Sequence, residues 1–150
     1  MILIKKIEEK YNDRVNSFII SIFVDEYKFE QYKEGLSKVN NLEYIRSGGN
    51  MWMAVDDSDE IIGTIAIMKK DKNTAELKSF YVNKKYRGNG ISKKLFSVAM
   101  EYCKQINLHK IFLGTYDTME TAICFYKKRG FSEIEMNHID ENARFFEMYL

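Results

Sequence analysis

Tyr86-Arg87-Gly88-Asn89-Gly90-Ile91-Ser92 separates a β-rich run over 75–82 from an amphipathic run that opens near Ile91. Two glycines one residue apart let a backbone turn tightly and leave its N–H groups unobstructed. A helix starting just after them has unpaired N–H groups in its first turn, at the positive end of its dipole. Strand, glycine turn and helix start together predict a seat for a phosphate or diphosphate. A P-loop needs its second glycine followed by Lys and then Ser or Thr, whereas the order here is Gly90-Ile91-Ser92-Lys93. A dinucleotide fingerprint needs a third glycine where Lys93 stands. It also needs an acid about twenty residues later, where the chain reads Lys110-Ile111-Phe112-Leu113-Gly114. Both fit poorly, and on these residues alone a plain glycine-containing loop stays open.

On the N-terminal side of the turn, alternation over 2–7 predicts an opening strand. Val15, Phe18, Ile19, Ile22 and Phe23 recur at helical spacing behind Asp13, a candidate cap. A second short helix is expected over 31–38. Asp25 and Glu26 read either as a solvated helix end or as an attraction for a cationic substrate. The β-rich runs 51–55 and 61–68 predict a hairpin around Asp56-Asp57-Ser58-Asp59-Glu60, an acidic turn without the glycine and distant glutamate of an EF-hand. Trp52, the one tryptophan, is expected in the core.

On the C-terminal side, Leu95, Phe96, Val98, Ala99, Tyr102, Cys103 and Ile106 line one helix face, and 110–116 is again strand-like. Strand, helix and strand make a parallel pair, right-handed by default. A helix over 119–128 should close on a left-handed Gly130, with Asp117 or Thr118 as its cap. Runs 131–136 and 143–150 read as closing antiparallel strands. The pattern predicts a mixed α+β domain with helices on both faces of its sheet.

At 150 residues, with 45% hydrophobic and 14% aromatic content, the chain can bury the core of one domain spanning 1–150. The net charge is +1, with Lys and Glu interspersed rather than gathered in a basic stripe, which argues against a nucleic-acid partner. Cys103 and Cys124 fall within helical runs and read as packing thiols of a reducing compartment. His109 and His138 lie far apart without ligand spacing, so no metal is expected. The apolar start is too short for a signal peptide and no stretch reaches membrane-spanning length, so a cytoplasmic location without membrane association is expected. The chain has no proline, and it shows no long linker or internal repeat.

Taken with two further stretches, the chain resembles the GNAT superfamily of N-acetyltransferases over essentially its whole length. The acyl-CoA signature of that superfamily, Q/R-x-x-G-x-G/A, reads Lys85-Tyr86-Arg87-Gly88-Asn89-Gly90 and follows a strand ending Phe80-Tyr81-Val82. A second motif, an alanine-led helix ending in aromatic-Tyr and then Gly-Phe, reads Ala122-Ile123-Cys124-Phe125-Tyr126-Lys127-Lys128-Arg129-Gly130-Phe131. Three departures stand out: Lys85 for Gln or Arg, Ser92 for a frequent glycine, and Met119 where an asparagine is common.

The resemblance implies a mostly antiparallel sheet with one splayed parallel strand pair, and acetyl-CoA as cosubstrate. Its diphosphate would rest on the N–H groups from Arg87 through Gly88, Asn89, Gly90 and Ile91 to Ser92. The Arg87 side chain would add a charged contact or face solvent. Pantetheine would pair with the main chain of Phe80, Tyr81 and Val82, and an N–H near Val82 would polarise the thioester carbonyl. Glu76 is the candidate base for a primary amine, against a surface carboxylate; Tyr126 is the candidate acid for the departing thiolate, against a packing role. The acceptor, a small molecule or a peptide or protein amine, would be selected within 11–41 and 137–144. Acyl-chain preference and oligomeric state, a homodimer included, stay open. An acyl-CoA-binding sensor with weak or no activity is the alternative.

Overall fold

Strand β2 (Asn50–Val55) is buried at every position. Met51, Met53 and Val55 enter one apolar cluster while Trp52 and Ala54 enter another, as the two-residue period of a strand requires. β2 therefore lies between two cores. The computed structural model describes residues 1–136 and 140–150; the expectations attached to Asn137 and His138 lie outside the described residues. β2 is joined by β1 (Leu3–Lys6), β3 (Ile61–Lys69), β4 (Thr74–Val82), β5 (Lys110–Tyr116), β6 (Ser132–Ile134) and β7 (Ala143–Tyr149). The seven strands run in the order β1-β2-β3-β4-β5-β7-β6. β4 and β5 are parallel, and every other neighbouring pair is antiparallel.

One face of the sheet carries α1 (Asn12–Ser21), which runs on into a π-helical turn, Ile22–Glu26. The short helices α2 (Lys33–Ser37) and α3 (Glu43–Arg46) follow. Val15, Phe18, Ile19 and Ile22 repeat at three- and four-residue steps and are buried against Met51, Met53 and Val55. The other face carries α4 (Ile91–Gln105), whose Ile91, Leu95, Phe96, Ala99, Met100 and Cys103 are buried. α5 (Glu120–Lys128) joins it there through Ile123 and Tyr126. The mixed sheet with helices on both faces is the one the sequence pattern predicts, and its mostly antiparallel order with one parallel pair is the one the resemblance implies.

The parallel seam sets the site. Thr74, Ala75 and Glu76 pair with Lys110, Ile111 and Phe112, and the ladder ends there. Further along, β4 bulges: Ser79 has φ 51°, and the register against β3 shifts between Thr64 and Ala66. A bulge bends and twists its strand, so the strands part. From Leu77 to Val82 the β5-facing edge of β4 has no strand partner among the described residues.

Several local expectations are corrected. Asp13 sits inside the first turn of α1, whose cap position is Tyr11, at the end of a 3-10 turn Glu9–Tyr11. Neither Asp117 nor Thr118 caps α5; Met119 holds that position without a side-chain bond, and Asp117 instead lies 3.8 Å from Arg144. Helix α3 was not expected from periodicity, being only one turn long. Cys103 is buried, and burial pushes its thiol up to about 12. Cys124 is exposed, because α5 turns Ile123 and Tyr126 inward and leaves the position between them outside. No helix among the described residues is long and apolar enough to cross a membrane.

Candidate active site

A cleft of about 550 Å³ opens where β5 departs from β4. Its walls are the partnerless stretch of β4, the end of β5, the glycine turn and the facing side of α5. Of the residues singled out in the sequence, Phe80, Tyr81, Val82, Arg87, Gly88, Gly90, Ser92 and Tyr126 line it; Glu76, Asn89 and Ile91 do not.

The turn is built for its backbone. A 3-10 turn, Lys84–Tyr86, is capped by Asn83, whose Oδ1 accepts from the Lys85 N–H at 2.9 Å. Gly88 and Gly90 then take φ 87° and 80°. A Cβ at either would meet nothing within 4 Å, so the left-handed backbone rather than crowding calls for glycine. Within the turn, the Arg87 and Asn89 N–H groups donate to Lys84 O at 3.4 Å and Tyr86 O at 3.3 Å. The N–H groups of Gly88, Gly90, Ile91 and Ser92 have no acceptor among the described residues. The Ile91 side chain is buried in the core, so that residue offers the cleft region only its backbone. Free amides at a helix start suit a diphosphate.

The Arg87 side chain is held within the protein rather than turned freely to solvent. Its Nε donates to Val82 O at 3.1 Å, and its two terminal nitrogens grip both carboxylate oxygens of Glu26, one of them at 2.7 Å. The pair is partly buried, and a bidentate fork of this kind is among the stronger charge-assisted contacts. Glu26 is thereby removed from the free anions that would draw a cationic substrate.

Tyr126 lies with its ring among Phe80, Phe125, Phe131 and Phe146. Its hydroxyl has no hydrogen-bond partner among the described residues, although the residue lines the cleft. Burial pushes the phenol above its ordinary value, so it keeps its proton through the neutral range. Met119 is buried and accepts a hydrogen bond from the Thr115 hydroxyl at 3.3 Å, thioether to oxygen.

Glu76 stands at the closed end of the cleft, in the last pair of the β4–β5 ladder, opposite Phe112. Its neighbours Ala75 and Leu77 belong to the cluster under α4, so strand alternation places Glu76 on the opposite face. There it pairs with Lys70 at 3.3 Å and is 22% exposed. Its charge adds to the burial that raises the Tyr44 phenol.

The sequence reading did not find an aromatic mouth on that second face. Phe23 packs 5.5 Å from Tyr81, and Phe29 packs 5.4 Å from Tyr116. The Tyr116 hydroxyl donates to that of Tyr32 at 3.3 Å, which with burial pushes Tyr116 up to about 12. The signal was the density of rings in a short stretch, Phe23, Tyr27, Phe29 and Tyr32, which core packing explains equally well from sequence alone.

The acetyltransferase (GNAT) family profile matches residues 8–131, spanning both the glycine turn and the second motif. The chain belongs to the GNAT acetyltransferase family. A GNAT acetyltransferase from Staphylococcus aureus is 31% identical, with TM-score 0.88 and 99% of each chain covered. The PaiA N-acetyltransferase of Thermoplasma acidophilum, solved in complex with coenzyme A, shares the GNAT fold at 22% identity, with TM-score 0.85 over 100% of this chain and 99% of that one. Among curated relatives, the uncharacterized N-acetyltransferase YjgM of Escherichia coli is 27% identical over 104 residues, which are 64% of this chain. The chain spans less than two thirds of the curated relatives it matches, 62% of that protein and smaller shares of others.

Proposed function

We propose that the chain transfers an acetyl group from acetyl-CoA directly to a primary amine, without a covalent enzyme intermediate. The observation that carries this reading is the conjunction of unbonded amides at Gly88, Gly90, Ile91 and Ser92 with a cleft running from them to Tyr126. Acetyl-CoA would supply the activated acyl group, a thioester. The turn amides would hold its diphosphate, and the open edge of β4 would take the amides of its pantetheine arm as a further strand. An N–H near Val82 would face the carbonyl oxygen and stabilise charge developing there. Tyr126, protonated and without a competing partner among the described residues, would give its proton to the departing sulfur.

The amine must be neutral to attack, and an alkylamine is mostly protonated at pH 7. Glu76 is the proposed base. Since it does not line the cleft, it would act through water, taking one proton from the ammonium group; the nitrogen's second proton, lost as the amide forms, would pass to water, from which the Tyr126 phenolate recovers its own. Because Met119 stands where the resemblance implies asparagine, a thioether replaces one polar contact to the pantetheine arm or acceptor.

One observation favours a second reading, an acyl-CoA-binding module with weak or no transferase activity: Glu76 is outside the cleft and already paired with Lys70. Thiol release from acetyl-CoA, measured with a panel of amines beside coenzyme A binding, separates the two. Amine-dependent release supports transfer. Tight binding with no release from any amine supports the module, and absence of binding removes both.

A further inference from the structure

Glu26 lies 61 positions before Arg87 in the chain and on a different element, yet the two make the bidentate contact at the cleft edge. Glu26 ends the π-helical turn Ile22–Glu26, and single π-turns inside helices gather at functional places. The next residue, Tyr27, is a wall of the cleft. Phe23, on the same turn, packs on Tyr81 of β4, and Phe29 just beyond packs on Tyr116 of β5. On the other side, Arg87 belongs to the glycine turn and also holds Val82 O, the last carbonyl of β4. One side-chain pair thus joins the diphosphate seat, the end of β4 and the segment that carries the aromatic mouth.

We infer that Glu26 is a positioning residue that, by gripping Arg87, makes seating of coenzyme A and ordering of the aromatic mouth interdependent. This rests on the coenzyme reading above. An anion held by the Gly88 and Gly90 amides restricts the turn that bears Arg87. Arg87 is forked to Glu26, so the π-helical turn loses freedom with it. Ordering paid once is not required again when an acceptor arrives between Tyr27, Tyr81 and Tyr116, which is a route to positive coupling without a change of shape. Coupling of this kind is reciprocal. Arg87 serves here as a brace for the turn, while the turn's amides meet the diphosphate.

Amide hydrogen exchange with and without coenzyme A tests the inference without knowledge of the acceptor. In the wild-type chain, saturating coenzyme A should slow exchange over 86–92 and also over 22–32, the latter about 5-fold or more. In Glu26→Gln, protection over 86–92 should persist while the effect on 22–32 disappears, and Glu26→Asp, which keeps the charge, should recover part of it. A melting curve for each variant checks that the fold is retained. Equal protection of 22–32 in wild type and Glu26→Gln overturns the inference, as does protection of 86–92 alone in the wild type. Failure of coenzyme A to protect 86–92 in the wild type overturns the coenzyme reading itself.

Discussion

Proton transfer is the role proposed for both Tyr126 and Glu76, and their surroundings make different demands on that chemistry. Tyr126 lines the cleft, its hydroxyl has no partner among the described residues, and its phenol is raised by burial. Tyr126→Phe keeps the ring packing and removes only the proton donor. It should lower kcat about 100-fold with coenzyme A binding little changed, as separate turnover and titration measurements would show. Glu76 is paired with Lys70 on the far face. Glu76→Gln should lower amine-dependent turnover about 10-fold or more near neutral pH, with the loss shrinking as pH approaches the amine's own pKa, where no base is required. A loss of equal size at every pH would assign Glu76 to holding Lys70 instead. Both residues stood out through the family resemblance, Tyr126 by its place in the second motif and Glu76 by its strand. What alternation could not give was the position of the bulge at Ser79, which decides how β4 turns its side chains beside the cleft.

At the scale of elements, the strands and long helices were legible because burial repeats along them with their own periods. β4, α4 and β5 follow one another within a residue or two of the expected bounds. The unread elements are those held by distant contacts: one-turn α3, the π-helical turn and its Glu26–Arg87 fork, which pattern within a short window cannot register. Close approach between strands is equally silent in sequence. A Cβ on Gly49 would stand 1.8 Å from Ile67 O, a backbone atom of the neighbouring strand, and Gly49 directly precedes β2. Gly49→Ala must therefore displace the start of the β2–β3 ladder rather than a flexible side chain. It should cost about 3 kcal/mol or more, read as a lowered denaturation midpoint with the turnover of the surviving folded fraction retained.

For the whole molecule, buried groups that hold their protons tie stability to alkaline pH. The folded chain keeps the Cys103 proton to about 12, whereas an unfolded thiol releases it near pH 8.5. Tyr126 is likewise raised by burial above an unfolded value near 10. In each case the contribution is complete below the unfolded pKa, since both states are then protonated. It declines as pH rises toward the folded value, where the unfolded chain binds fewer protons. The urea midpoint should hold steady from neutral pH to about 8.5, decline beyond it and decline more steeply past about 10. Cys103→Ala should remove the first step while leaving the second; unchanged steps in that variant would show that other groups are responsible.

The seam between β4 and β5 closes at Glu76 and Phe112, leaving the seven-stranded sheet zipped along only a short length at its middle. A pantetheine arm lying along β4 would supply rungs that the protein itself omits, so the ligand would serve as a removable part of the scaffold. Heat tolerance would then track coenzyme supply, rising by about 2.7 kcal/mol at a hundredfold excess over Kd. The same chain would be sturdiest when its acyl donor is plentiful and easiest to unravel when that donor runs short.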